Sequence, residues 1–179
     1  LDYYTRALDK AENEKNNRVY NACIGCIGNI YASIGDYNRC LHYYQQGYKA
    51  AVDDGDTEMQ FKFLSNILAC YCFMKDIKKA KASFNVMMRL PVHDQQMQRY
   101  YSLYNQGFIA QASGDYAMAE YYHRQALEFA EERNMPLMYF QAQYMALGNI
   151  ALMRKNSKMA IEYFNKSREM TKKMGNVDK

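Results

Sequence analysis

The sequence predicts an all-α fold: a right-handed superhelix of antiparallel helix pairs, with four full repeats behind a partial N-terminal helix. Three observations predict it. A turn recurs at Gly35-Asp36-Tyr37, Lys75-Asp76-Ile77, Gly114-Asp115-Tyr116 and Lys155-Asn156-Ser157, at offsets of 39 to 41 residues, and a fixed period of that size marks stacked supersecondary units. After each turn a small residue returns as Cys40, Ala80, Ala119 and Ala160. One helical turn later a bulky one follows as Tyr44, Phe84, His123 and Phe164, the alternation that two crossing helices need. Eighteen tyrosines, no tryptophan and only two prolines, within 49% hydrophobic content, agree with helices meeting through amphipathic rings and leave no expectation of strands.

Taken in order, Ala7-Leu8 and Ala11-Glu12 align with Ala126-Leu127 and Ala130-Glu131, so the chain opens inside a second helix. Without an initiator methionine it reads as a piece of a longer protein with at least one more repeat upstream. Tyr4, Ala7 and Leu8, lacking a partner helix, are expected to be uncovered and to favour self-association through that end. Asn16-Asn17 ends this helix. The expected domain is one array: 1–16 from a truncated repeat, then repeats at 17–56, 57–93, 94–134 and 135–174. The first repeat pairs helices of about 17–34 and 37–53, with Asp53-Asp54-Gly55-Asp56 as connector. The second pairs about 57–74 with 77–89 and is closed by Leu90-Pro91, because proline disfavours helix at the residue before it. The third runs to Asn134. Met135-Pro136 opens the fourth with proline in the first turn, and that repeat ends near Lys173, leaving Gly175 to Lys179 frayed. After the Gly114 turn, Asp115 can cap the following helix through its carboxylate.

In the helix before each turn, Ile24, Ile27, Gly28 and Tyr31 match Leu64, Ile67, Leu68 and Tyr71, then Leu103, Gln106, Gly107 and Ala110, then Tyr144, Leu147, Gly148 and Ala151. With the turns, these residues resemble the tetratricopeptide repeat family over essentially the whole chain. Leu68 replaces the small residue, Lys75 and Lys155 replace the turn glycine, and Gln106 and His123 stand in usually apolar slots. The period is longer than the 34 residues of the commonest form and is similar to that of kinesin light chains, spindle-orientation adaptors and bacterial receptors for signalling peptides.

Charge and chemistry narrow the function classes. A net charge of +4 with acids and bases interspersed is too mild to imply a polyanion partner, and Lys166, Arg168, Lys172 and Lys173 complement the end of the last helix. No run approaches the 18 apolar residues of a membrane span. Cys23, Cys26, Cys40, Cys70 and Cys72 all fall in helices and are expected as reduced core residues, which suits a cytoplasmic protein. His42, His93 and His123 lack a second ligand at helical spacing, so no metal or other cofactor is expected, and His123, in a packing slot, is expected buried or half-buried. No phosphate loop or nucleophile elbow is present, and no enzyme is expected.

The resemblance implies that the first helix of each pair lines a concave inner surface that binds a peptide or partner segment. On those helices stand Asn29, Asn66, Asn105 and Asn149, with Lys62, Tyr101, Phe108 and Gln111 as further groove residues, and Gly25, Ser65, Phe73, Met145 and Leu152 beside them. The asparagines are placed one turn apart relative to the packing pattern, which keeps them on one face. A side-chain amide both donates and accepts, so a row of amides can pair with an extended peptide backbone. Chaperone-tail-binding members add cations to such asparagines, whereas Gly25, Tyr101 and Asn105 occupy the matching places here, which disfavours a carboxylate clamp. The expected function is therefore a protein-interaction module. The alternatives are a structural or oligomerisation scaffold, and the sensor part of a bacterial transcriptional or signalling regulator.

Overall fold

The computed structural model describes residues 2–13 and 17–177. The expected helix break at Asn16 and the terminal Asp178 and Lys179 lie outside the described residues. Within them the chain forms α1 (Asp2–Asn13), α2 (Asn17–Ser33), α3 (Tyr37–Asp53), α4 (Thr57–Phe73), α5 (Ile77–Met88), α6 (Gln95–Ala112), α7 (Tyr116–Glu132), α8 (Leu137–Met153) and α9 (Ser157–Val177), and no strand. The four predicted turns each separate two of these helices. Contacts divide the chain into two compact units, Leu1–Gln95 and Gln96–Lys179. The division falls just beyond α5, the short helix that stops before Leu90-Pro91.

Each helix pair is closed by backbone and side chain together. At the end of α2 the Gly35 N–H donates to Ala32 O at 3.1 Å and the Asp36 N–H to Tyr31 O at 3.0 Å, the crossed pattern that satisfies the last carbonyls of a helix. Gly35 and Gly114 take φ of 77° and 83°, where glycine has no Cβ penalty, but Lys75 and Lys155 are held at 61° and 60°. The next residue caps the next helix. The side-chain oxygens of Asp36, Asp76, Asp115 and Asn156 accept from the amides of Arg39, Lys79, Met118 and Met159 at 3.0 to 3.1 Å.

The small residues after the turns, Cys40, Ala80, Ala119 and Ala160, all have no exposed surface. Their bulky followers meet the glycines of the preceding helix. A Cβ on Gly28 would come within 2.3 Å of the Tyr44 ring, one on Gly107 within 2.6 Å of His123, and one on Gly148 within 2.5 Å of Phe164. Glycine is required there because an aromatic ring occupies the space of its missing side chain. The same device recurs between repeats, where Gly47 of α3 faces Phe63 of α4. In the second repeat Leu68 is fully buried and Phe84 is correspondingly half-exposed.

In the first unit Ile24, Ile27, Tyr31, Cys40, Tyr44, Ala51, Phe63, Ile67 and Cys70 form one core. Tyr4 and Leu8 of α1 pack against it, and with Ala7 they are half-buried. The expectation that these three are uncovered is corrected: α1 packs on α2, and Tyr3 is the exposed ring at that end, at 79%. In the second unit, Tyr100 and Leu103 pack with Ala126 and Ala130, and Leu147 and Ala151 with Ala160 and Tyr163. Helix α9 continues to Val177, past the expected end near Lys173. A single glycine costs a helix only about 1 kcal/mol, so Gly175 is carried through.

Candidate interaction surface

In the first unit, Lys62, Asn66, Ala69 and Phe73 share one face of α4. Lys62 and Phe73 are exposed, and Asn66 and Ala69 are half-buried. The Phe73 ring stacks on Tyr37 of α3, with centroids 4.9 Å apart and planes 7° from parallel. On α2, Asn29 is exposed, and its Oδ1 accepts from the Tyr44 hydroxyl at 2.6 Å, which fixes the amide while leaving its other edge to solvent. Ser65 is buried and so leaves the expected face.

In the second unit the expected face of α6 is only partly exposed, with Asn105 buried and Tyr101, Phe108 and Gln111 half-buried. Asn105 has no exposed surface, and its Nδ2 donates to the Tyr101 carbonyl at 2.9 Å. It is corrected from a binding amide to a packing amide. A buried polar group must be hydrogen-bonded, and the carbonyl one turn earlier does this. Tyr101 packs edge-on against Tyr100, Tyr104 and Tyr139, and burial raises its phenol pKa. Phe108 lies edge-on to Tyr104, with centroids 4.9 Å apart, and to His123. Tyr101 and Phe108 therefore fill an aromatic core with one flank outward, while Gln111 on the same helix is half-buried.

Helix α8 carries a different surface. Its core side is Gln143, Ala146, Leu147, Gly148, Ile150 and Ala151. Opposite stand Met138, Met145, Asn149 and Leu152, which share one face. The three apolar residues are 57%, 42% and 49% exposed, and Asn149 between them is exposed too. Large apolar side chains are scattered singly on most surfaces; a run of them along one face of one helix is less usual.

A buried polar chain stiffens the interior of this unit. Tyr100 OH donates to the Tyr139 carbonyl at 3.0 Å and accepts from Gln143 Nε2. Gln143 Oε1 can only accept, so the His123 Nδ1 that lies 2.8 Å from it carries the proton. That leaves His123 Nε2 as a buried acceptor with no hydrogen-bond partner. Burial lowers the His123 pKa to about 4 and pushes the Tyr104 phenol up to about 12. Sequence spacing foresaw the burial of His123 but not its pairing with Gln143, which comes from the following repeat.

Solved structures similar to this chain include BtubC (BKLC) from P. vanneervenii, at 14% identity and a TM-score of 0.60, covering 96% of this chain and 72% of that one. The apo form of RapI matches at 16% identity and a TM-score of 0.59, covering 98% of this chain and 77% of that one. Both are helical-repeat proteins of the tetratricopeptide-like kind. The fold is an all-α helical-repeat fold. At these identities the likeness speaks for the fold alone. No protein-family model matches the sequence, and no curated protein matches it. No described helix is long and apolar enough to cross a membrane.

Proposed function

We propose that the chain is a protein-interaction module that binds a peptide or partner segment on the exposed faces of its first helices. The observation that carries this reading is the face of α8, where Met138, Met145 and Leu152 flank the exposed amide of Asn149. Fold stability does not ask for those apolar side chains, since the core side of α8 is separately filled. An amide between apolar contacts suits an extended segment: the amide pairs with its backbone, and the apolar residues take alternate side chains. In the first unit, Lys62, Asn66 and Phe73 supply a comparable face on α4, and Asn29 adds a fixed amide on α2. The reading involves no catalytic step and no cofactor. With one lysine among these residues, the faces suit uncharged or mixed segments better than a terminal carboxylate, which calls for bidentate cations.

The test is a peptide-library screen against the wild-type chain and against Leu152→Asp, a solvent-facing substitution that should leave the melting temperature nearly unchanged. Enriched peptides that bind wild type and lose at least tenfold in affinity to Leu152→Asp support the reading. A library that yields no binder, or binders indifferent to Leu152 and to Asn66→Ala alike, gives the chain to the scaffold alternative.

A further inference from the structure

The sulfur atoms of Cys40 and Cys70 lie 3.1 Å apart, closer than two unbonded sulfurs ordinarily sit and about 1 Å beyond a disulfide bond. Cys40 stands in the first turns of α3, just after the Asp36 cap, and Cys70 near the C-terminal end of α4, so the pair joins the second helix of one repeat to the first helix of the next. Both belong to the core of the first unit, with 0% and 2% of their surface exposed. The other cysteines are placed differently. Cys72 is buried two residues along α4, and Cys23 and Cys26 are on α2, Cys26 interacting with the Tyr4 hydroxyl.

We propose that Cys40 and Cys70 are a reversible disulfide site that, under a peroxide oxidant, staples α3 to α4. The two thiols are unlike. The hydrogen bond from Cys70 holds the Cys40 thiol below its ordinary value against the opposing effect of burial, while the same contact and burial push Cys70 well up. Cys40 is therefore the thiolate-forming partner, helped by its place near a helix N-terminus. Its sulfur attacks one peroxide oxygen, the O–O bond breaks, and Cys40 becomes a sulfenic acid with release of water once the leaving hydroxide takes up the thiol proton. The Cys70 sulfur then attacks the Cys40 sulfur; the S–O bond breaks and a second water leaves with the Cys70 proton. Two electrons pass from the sulfur pair to the two peroxide oxygens, and the sum is two thiols and one peroxide giving one disulfide and two waters. Because both sulfurs are buried, the rate is set by opening of the α3–α4 contact, and the bond once closed is shielded from reductants. The staple fixes α4, the helix of Lys62, Asn66 and Phe73, against the preceding repeat.

The experiment treats the reduced chain with hydrogen peroxide, alkylates remaining thiols under denaturing conditions and maps the peptides by mass spectrometry. The expected result is a cross-linked peptide pair carrying Cys40 and Cys70, lost on reduction, formed faster in mild urea, and retained in Cys26→Ala and Cys72→Ala. The melting temperature of the oxidised form should rise by roughly 5 to 15 °C, the size expected for closing a loop of this length. Free, alkylatable Cys40 and Cys70 after oxidation in mild urea would overturn the proposal. So would a cross-link through Cys23, Cys26 or Cys72, overoxidation of Cys40 without a cross-link, or a lower melting temperature of the linked form.

Discussion

His123 and Gln143 lock two consecutive repeats together through one buried hydrogen bond, Nδ1 to Oε1 at 2.8 Å. The other ring nitrogen is the exceptional group. Nε2 is buried without a partner and presses against the position where Gly107 lacks a side chain. An aromatic ring fills the same slot at Tyr44 and Phe164, so the imidazole serves as a ring that also holds a polar neighbour.

This arrangement makes stability depend on pH. Burial lowers the folded-state pKa of His123 to about 4 from 6.5, so between those values the unfolded chain binds more protons than the folded one, and stability falls as pH falls. The loss should be about 2 kcal/mol between pH 7 and pH 5. His123→Phe should be less stable at pH 7 by about 1 to 3 kcal/mol, because Gln143 loses its partner, yet flatter between pH 7 and pH 5. Urea melts at the two pH values check this. Equal slopes for wild type and variant would mean that His123 does not titrate in this window.

The glycine contacts separate steric need from helix propensity. Gly28→Ala should destabilise by about 1 to 3 kcal/mol, because its Cβ would meet the Tyr44 ring at 2.3 Å. Gly25→Ala, one turn earlier with nothing within 4 Å, should gain about 0.5 to 1 kcal/mol. Thermal melts of the two variants should move in opposite directions. Movement in the same direction would contradict the register of α2 on α3.

At the last turn Lys155 adopts φ of 60°, which the Gly35 and Gly114 turns give to glycine. Lys155→Gly should stabilise by about 0.5 to 1 kcal/mol despite the entropy glycine adds to the unfolded chain. Denaturant midpoints decide the sign.

Most of the fold was legible because its determinants are local and periodic. The turn at Gly35-Asp36 and its three counterparts separate the two helices of every pair, and Cys40, Ala80, Ala119 and Ala160 are buried as their spacing implies. The surface was less legible. Asn105 and Asn149 look alike in the sequence, but one is fully buried and bonded to the Tyr101 carbonyl while the other faces solvent, and which occurs depends on neighbouring helices that spacing within one helix does not encode. The same is true of Cys40 with Cys70. Their contact joins different helices at a separation that spells no motif.

The most direct measurement of the interaction reading is calorimetric titration of an enriched library peptide into wild type, Asn149→Ala and Asn66→Ala, with Asn105→Ser as a control for the buried amide. A peptide that docks on α8 should bind Asn149→Ala about 2 to 10-fold more weakly, the effect of one neutral hydrogen bond, and should bind Asn66→Ala as it does wild type; a peptide that docks on α4 should show the reverse. Asn105→Ser should change the melting temperature more than the affinity. Full affinity in both surface variants, or a loss confined to Asn105→Ser, would contradict the assignment of binding to the exposed first-helix faces.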